Sequence, residues 1–222
     1  MTLGIKLEDV AVEFDGHIAL SVTELNLSAK SIAVIGSNGS GKSTFARLLN
    51  GLVKPTRGAV TVSGVNPDTK TTGFLFSNPD LQIVMPTVFE DVAYSLTNQK
   101  LSKDEVRTRV ESALTAVGLI ELQEANCHTL SSGQKQLLAL ASNIVREPKV
   151  LVADEPTTLL DLPNTKRITK LLHSLPLEQL VIVTHDLDLA ATADEVIWFD
   201  AGQVKQVGKP ATVIPAYRKH FE

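Results

Sequence analysis

The residues GSNGSGKST, 36–44, carry the first chemistry in this 222-residue chain. Gly36, Gly39 and Gly41 permit tight turns, so successive backbone N–H groups converge on one concavity, a shape that binds phosphate oxygens. Ser37, Asn38, Ser40 and Thr44 complete the loop. Lys42 can neutralise β- and γ-phosphates, and the Ser43 hydroxyl stands where it can ligate Mg²⁺. The loop follows the apolar run IAVI and opens the helical stretch FARLLNGL, whose positive end points at the same spot. A second element, VLVADEP (150–156), ends an apolar run in two adjacent acids. Strand C-termini are where open α/β sheets meet ligands. Asp154 suits the Mg²⁺ shell. Glu155, aimed differently by strand alternation, suits orienting and polarising an attacking water. His185 closes the run LVIVT. Two readings stand for it: a structural histidine, the commoner case, or one placed at the same sheet edge to reach a γ-phosphate.

These residues need elements to hold them. IAVIG (32–36) is continuously apolar, as a strand covered on both faces must be. IKLEDVAVEF alternates in two phases, through Ile5 and Leu7 and then Val10, Val12 and Phe14; SVTELNLS alternates through Val22, Leu25 and Leu27. Further short β candidates are AVTVSG (59–64), GFLF (73–76), VLVAD (150–154), LVIVTH (180–185) and EVIWFD (195–200), the last leading through AGQ into a hairpin with VKQV. Ser102 and Glu105 form a capping box, followed at helical spacing by Val106, Val110, Leu114 and Val117 and stopped by Gly118. A second helix is expected from about Ser132 to Arg146, ending before Pro148. The order of strands, then helices, then alternating strand and helix predicts a parallel α/β core interrupted by a helical insertion. Between Phe76 and that insertion lies SNPDLQIVMPTVFEDV, in which a polar elbow precedes apolar residues that neither a helical nor a strand period claims.

Composition narrows the class. Hydrophobic residues make up 43% and aromatics only 5%, so aliphatic side chains build the core. A net charge of −4 gives no general pull toward nucleic acid or anionic lipid. The single cysteine, Cys127, excludes an internal disulfide and suits a reducing compartment; no metal-ligand spacing surrounds it. MTLGIKLEDV carries no basic-then-apolar leader, and no apolar run reaches membrane-spanning length. The expectation is a cytosolic chain whose membrane role, if any, comes through partners, with no added domain after PATVIPAYRKHFE.

LSSGQKQLLALA (130–141) closely resembles the LSGGQ signature loop of the ATP-binding-cassette (ABC) ATPases. The other motifs of that family occur in order across essentially the whole chain. Read physically, Ser131 and Gly133 stand at a helix N-terminus, where a hydroxyl, backbone N–H groups and the helix dipole favour an anion. The resemblance implies a phosphate-loop ABC core with an N-terminal antiparallel β subdomain and an inserted helical subdomain, 1–78 and 148–222 forming the core and 79–147 the insertion. It also implies ATP and Mg²⁺ as ligands, with Phe14 stacking on adenine and Glu155 and His185 as the catalytic pair. Ser131, Ser132, Gly133 and Gln134 would face the γ-phosphate held by a second ABC subunit, identical or not, and Asp161 would communicate across that dimer. Three positions depart from the family. Ser77 stands where the Q-loop glutamine is usual, so either Ser77 acts through a water, Gln82 substitutes for it, or metal coordination is weaker. Ser132 replaces a signature glycine, and Leu162 separates Asp161 from Pro163.

NPDLQ (78–82) resembles the NPDxQ of energy-coupling-factor (ECF) import ATPases, which drive uptake of vitamins or of cobalt or nickel ions. That resemblance implies an integral membrane coupling protein and a substrate-binding membrane protein as partners, no nucleic acid, and residence at the cytoplasmic face of the membrane. Ile83, Val84, Met85, Val88 and Phe89 would then form a partly exposed groove for a partner helix. The solute is not encoded in the chain; biotin is the guess from overall resemblance. The alternative is a soluble ABC ATPase without a translocator, of the iron–sulfur assembly or mechanochemical type. A third reading, a non-ABC phosphate-loop kinase, is disfavoured by the signature loop.

Overall fold

The computed structural model describes residues 4–69 and 71–222. Along the chain run β1 (Ile5–Phe14), β2 (His17–Leu27), β3 (Ser31–Gly36), α1 (Lys42–Asn50), β4 (Arg57–Val62) and β5 (Thr72–Leu75). Helices α2 (Val88–Tyr94), α3 (Lys103–Val117) and α4 (Ser132–Ile144) follow, then β6 (Val150–Asp154) and α5 (Leu162–Ser174). The chain closes with β7 (Gln179–Val183), α6 (Leu187–Ala190), β8 (Glu195–Asp200), β9 (Gln203–Gly208) and α7 (Pro210–His220). Two compact units result: Met1–Phe74 with Lys149–Glu155 and Pro176–Glu222, and Leu75–Pro148 with Pro156–Leu175.

The first unit contains a three-stranded sheet, β2-β1-β4, antiparallel throughout. The two-phase alternation of β1 has a physical cause: Asp9 adopts φ 49° and the register against β4 shifts between Glu8 and Ala11. A second shift, between Val12 and Glu13 against β2, throws Phe14 out of phase. Phe14 is therefore 49% exposed, where continued alternation would have buried it.

The larger sheet of this unit has strand order β5-β6-β7-β3-β8-β9. Strands β6, β7, β3 and β8 are parallel, and β9 returns antiparallel to β8 as the hairpin reading expects. Every residue of β3, β6 and β7 is buried, which accounts for their unbroken apolar runs. Phe45 of α1 packs its ring 5.1 Å from that of Phe199 in β8, fixing the helix after the glycine loop to the sheet. Ala33, Ile35, Val196 and Trp198 pack with Val213 and Ile214 of α7, a helix for which the sequence reading made no provision.

The second unit is helical. Ser102 caps α3 with a reciprocal Glu105 contact, and Gly118 ends it in the left-handed conformation, as the pattern predicted. Helix α4 is nearly surrounded by protein; Leu137, Leu138, Ala139, Leu140 and Ala141 are all buried. Helix α5 belongs to this unit although the strands on either side of it in sequence do not. Its Arg167 donates to the Val117 carbonyl at 2.9 Å and so caps the C-terminal end of α3.

Helix α2 opens on a second capping box, T-x-x-E, formed by Thr87 and Glu90. Asp91, 3% exposed, then organises the stretch before it. Its Oδ1 accepts from the Val84 and Met85 N–H groups at 2.8 and 3.1 Å, and its Oδ2 from the Ser142 hydroxyl at 3.1 Å. One buried carboxylate thus replaces the missing backbone ladder of a segment that is neither helix nor strand. Among the described residues no helix is long and apolar enough to cross a membrane.

Candidate active site

The first unit gathers Lys42, Ser43, Asp154, Glu155 and His185 at the C-terminal ends of β3, β6 and β7. The loop after β3 needs its glycines for space as well as torsion. Gly36 has φ 154°, and a Cβ there would collide with the Phe199 carbonyl and the Ser40 hydroxyl. Gly41, at φ 98°, is the N-cap of α1; a Cβ on it would lie 2.8 Å from the Ala19 carbonyl oxygen. With glycine as cap, no side chain accepts from the first turn of α1, and no acid sits in that turn. The buried Ser40 hydroxyl has no hydrogen-bond partner among the described residues. An uncapped helix N-terminus, a glycine cradle and an orphaned donor together fit a phosphate.

Lys42 is buried and donates from Nζ to the Gly36 and Ser37 carbonyls at 2.8 and 2.7 Å. Burial pushes its pKa down, against the pull of Glu155 and Asp154. Asp154, 8% exposed, has its pKa raised chiefly by burial, although the Ser43 hydrogen bond, Arg47 and Lys42 oppose this. Ser43 Oγ lies 3.4 Å from Asp154 Oδ1. Two hard oxygen donors beside a phosphate cradle suit Mg²⁺, which takes few protein ligands and completes its shell with phosphate and water. In keeping with that, no group of three or more His, Cys, Asp or Glu among the described residues forms a self-sufficient metal cage.

Glu155 departs from the expected mechanism of aiming. Alternation along β6 does not turn it; a left-handed backbone, φ 53°, does. The strand ends there, while the Glu155 N–H still donates to the Val183 carbonyl of β7 at 2.9 Å. A non-glycine residue held this way costs about 1–3 kcal/mol, and such strain persists where surrounding structure enforces it, often at functional sites. Its Oε2 lies 2.8 Å from His185 Nδ1. The histidine keeps 63% of its own side chain exposed beside that carboxylate.

The second unit holds the other candidates. Ser131 is the N-cap of α4: its Oγ accepts from the Gln134 N–H, and Gln134 Oε1 accepts from the Ser131 N–H. Gln134 is therefore occupied in shaping the turn. Ser131 and Ser132 are exposed and Gly133 is buried. Asp161 caps α5, its Oδ1 accepting from the Asn164 N–H at 3.0 Å. Ser77 lines a cavity of about 140 Å³ together with Ser132, Gln136 and Leu159. Asn78 caps the short turn Pro79–Leu81, and Lys135 pairs with Asp80 at 2.7 Å.

Gln82 Nε2 donates to the Ala139 carbonyl of α4 at 3.3 Å, and its buried Oε1 has no hydrogen-bond partner among the described residues. One expectation is corrected here. Val88 is not part of an exposed groove: as the first residue of α2 it is completely buried, worth about 2 kcal/mol to the core. Val84 is 62% exposed, while Ile83, Met85 and Phe89 are half-buried. Leu81 is 71% exposed. Cys127 is buried, its thiol pushed up to about 11 by desolvation, so it stays protonated and inert at neutral pH.

Comparison with known proteins places the chain among relatives. A family model described as ABC transporter matches residues 22–158. The biotin transport ATP-binding protein BioM of Rhizobium etli is 40% identical over 222 residues, covering 98% of this chain and 99% of BioM. The energy-coupling factor transporter ATP-binding protein EcfA1 of Latilactobacillus sakei is 36% identical, covering 94% of this chain and 79% of that protein. The structure of cbiO1 from Clostridium perfringens, part of the ABC transporter complex cbiONQ, superposes with a TM-score of 0.88 at 33% identity, covering 100% of this chain and 94% of cbiO1.

Proposed function

The chain belongs to the ABC transporter family and is an ATPase, and from that premise we propose that it energises an ECF-type importer of a micronutrient, a vitamin such as biotin or a cobalt or nickel ion. One observation carries the transport half of this reading: similarity runs end to end to a protein named for biotin transport. In the proposed site the loop from Gly36 to Thr44 cradles the phosphates and Lys42 offsets their charge. Ser43 and Asp154 hold Mg²⁺, which draws charge from the phosphate oxygens when bound. Phe14, turned outward by the β1 bulge, stacks on adenine. Glu155 takes the proton of the attacking water, and His185 holds its carboxylate in place through the 2.8 Å contact.

A second ABC subunit completes the reaction. The exposed Ser131 and Ser132 and the first turn of α4 present a hydroxyl-lined, positive helix end to the γ-phosphate bound by that partner. The protein thereby joins a membrane complex, at its cytoplasmic face, with a coupling protein and a substrate-binding protein. The apolar surface of Val84, with the half-buried Ile83, Met85 and Phe89, receives the coupling protein. Isolation of the tagged chain from membranes, followed by identification of co-purifying proteins and bound small molecule, tests this. Two integral membrane proteins and a vitamin or metal ion are expected. Recovery only as a soluble dimer, or with an iron–sulfur scaffold, would replace the importer with the translocator-free alternative.

A further inference from the structure

Gly133 occupies the first turn of α4, where glycine costs about 1 kcal/mol relative to alanine. Backbone torsion does not require it, since Gly133 is absent from the positive-φ positions of the chain. Space does. A Cβ on Gly133 would lie 2.7, 2.8 and 2.9 Å from Cγ, Oδ1 and Nδ2 of Asn164 in α5. That amide is tied by hydrogen bonds to Asp161. Its Nδ2 donates to Asp161 Oδ1 at 2.7 Å, and the same oxygen accepts the Asn164 backbone N–H at 3.0 Å. One side chain therefore bears on the buried glycine of the signature loop and on the aspartate that caps α5.

We propose that Asn164 is a positioning residue that holds the signature loop at Gly133 and the loop at Asp161 in a single register. The wedge fits only while residue 133 lacks a Cβ, and the tie to Asp161 keeps the wedge in place. Any shift of one loop is thereby passed to the other, and with Arg167 gripping the end of α3, helix α5 moves with the helical unit. This inference rests on the reading above, in which Ser131, Gly133 and Asp161 serve the nucleotide of a second subunit.

A four-protein cycle tests it: wild type, Asn164→Ala, Gly133→Ala and the double variant, each measured for ATP turnover, KM for ATP and melting midpoint. Asn164→Ala is expected to lower kcat about ten- to a hundred-fold, as a displacement of about 1 Å does, with KM within about twofold. Gly133→Ala should cost about tenfold in kcat beside Asn164 and no more than about twofold in the Asn164→Ala background, because the clash is then gone. Asn164→Asp, which keeps the shape but repels Asp161, should behave like Asn164→Ala. Equal fold-losses from Gly133→Ala in both backgrounds overturn the proposal, as does an Asn164→Ala enzyme with wild-type kcat. Coupling in melting midpoint without coupling in kcat reduces the contact to packing and also overturns it. If Ser131→Ala leaves turnover intact, the two-subunit reading fails instead, while the kcat cycle of Asn164 and Gly133 still judges the wedge.

Discussion

The two ends of the proposed reaction are built on opposite principles. At the sheet edge the working groups are buried or strained: Lys42 and Asp154 are desolvated against their charge, and Glu155 is held in a left-handed conformation. At the start of α4 nothing is strained. Ser131 and Gln134 satisfy each other in a capping box, and no ionisable side chain stands among residues 131–134. The first end stores unfavourable electrostatics that substrate and metal can relieve; the second offers only backbone dipoles and hydroxyls, which cost nothing to expose. A site that performs chemistry needs pre-organised charge, whereas a surface that completes a partner's site must remain stable while uncovered.

Breaking the strained end should have the largest effect. Glu155→Gln is expected to keep ATP binding, lower turnover about 10²–10⁴-fold and accumulate an ATP-bound dimer, seen by light scattering with and without ATP. Turnover at the wild-type rate would remove Glu155 from the water. At the relaxed end, Ser131→Ala should lower turnover by roughly 10²-fold and cost about 1 kcal/mol of stability through the lost cap, while ATP affinity measured on the dilute single chain stays unchanged. A loss of that affinity would mean that Ser131 serves the nucleotide of its own chain.

The electrostatic contrast is sharpened by pH. The pKa of Asp154 is raised on folding, so its contribution to stability is present below the ordinary value of 3.8 and lost as pH rises through the raised value. Above that value the ionised carboxylate opposes folding. Asp154→Asn should raise the melting midpoint at pH 7, and the gain should shrink as pH falls through that window; a lower midpoint at pH 7 would contradict burial as the dominant cause. The smallest intrinsic effect is expected at the apolar surface. Val84→Asp should change stability by no more than about 0.5 kcal/mol and leave basal hydrolysis intact, yet abolish co-purification with membrane proteins. Retained co-purification would move the contact elsewhere.

Much of this was legible in sequence. The phosphate loop, the acids at the end of β6, the α3 capping box with its Gly118 stop, and the β8–β9 hairpin stand where the residues foretold. Helix α2 is legible too, in the capping box of Thr87 and Glu90. Val88 departs from its expected exposure because its sequence neighbourhood says nothing of the buried face of α2 that claims it.

What the sequence determined by itself are features whose physics closes within a few residues: glycine torsions, helix caps and the apolar runs of doubly covered strands. What only the tertiary structure decided are contacts between residues far apart in the chain. Glu155 meets His185 because β6 and β7 lie side by side, and Asp91 ties Val84 to Ser142 across helices. Asn164 fills the space that Gly133 leaves, thirty-one positions earlier in the chain. Local energies fix the first kind, and packing of distant segments fixes the second, which no spacing along one chain can express.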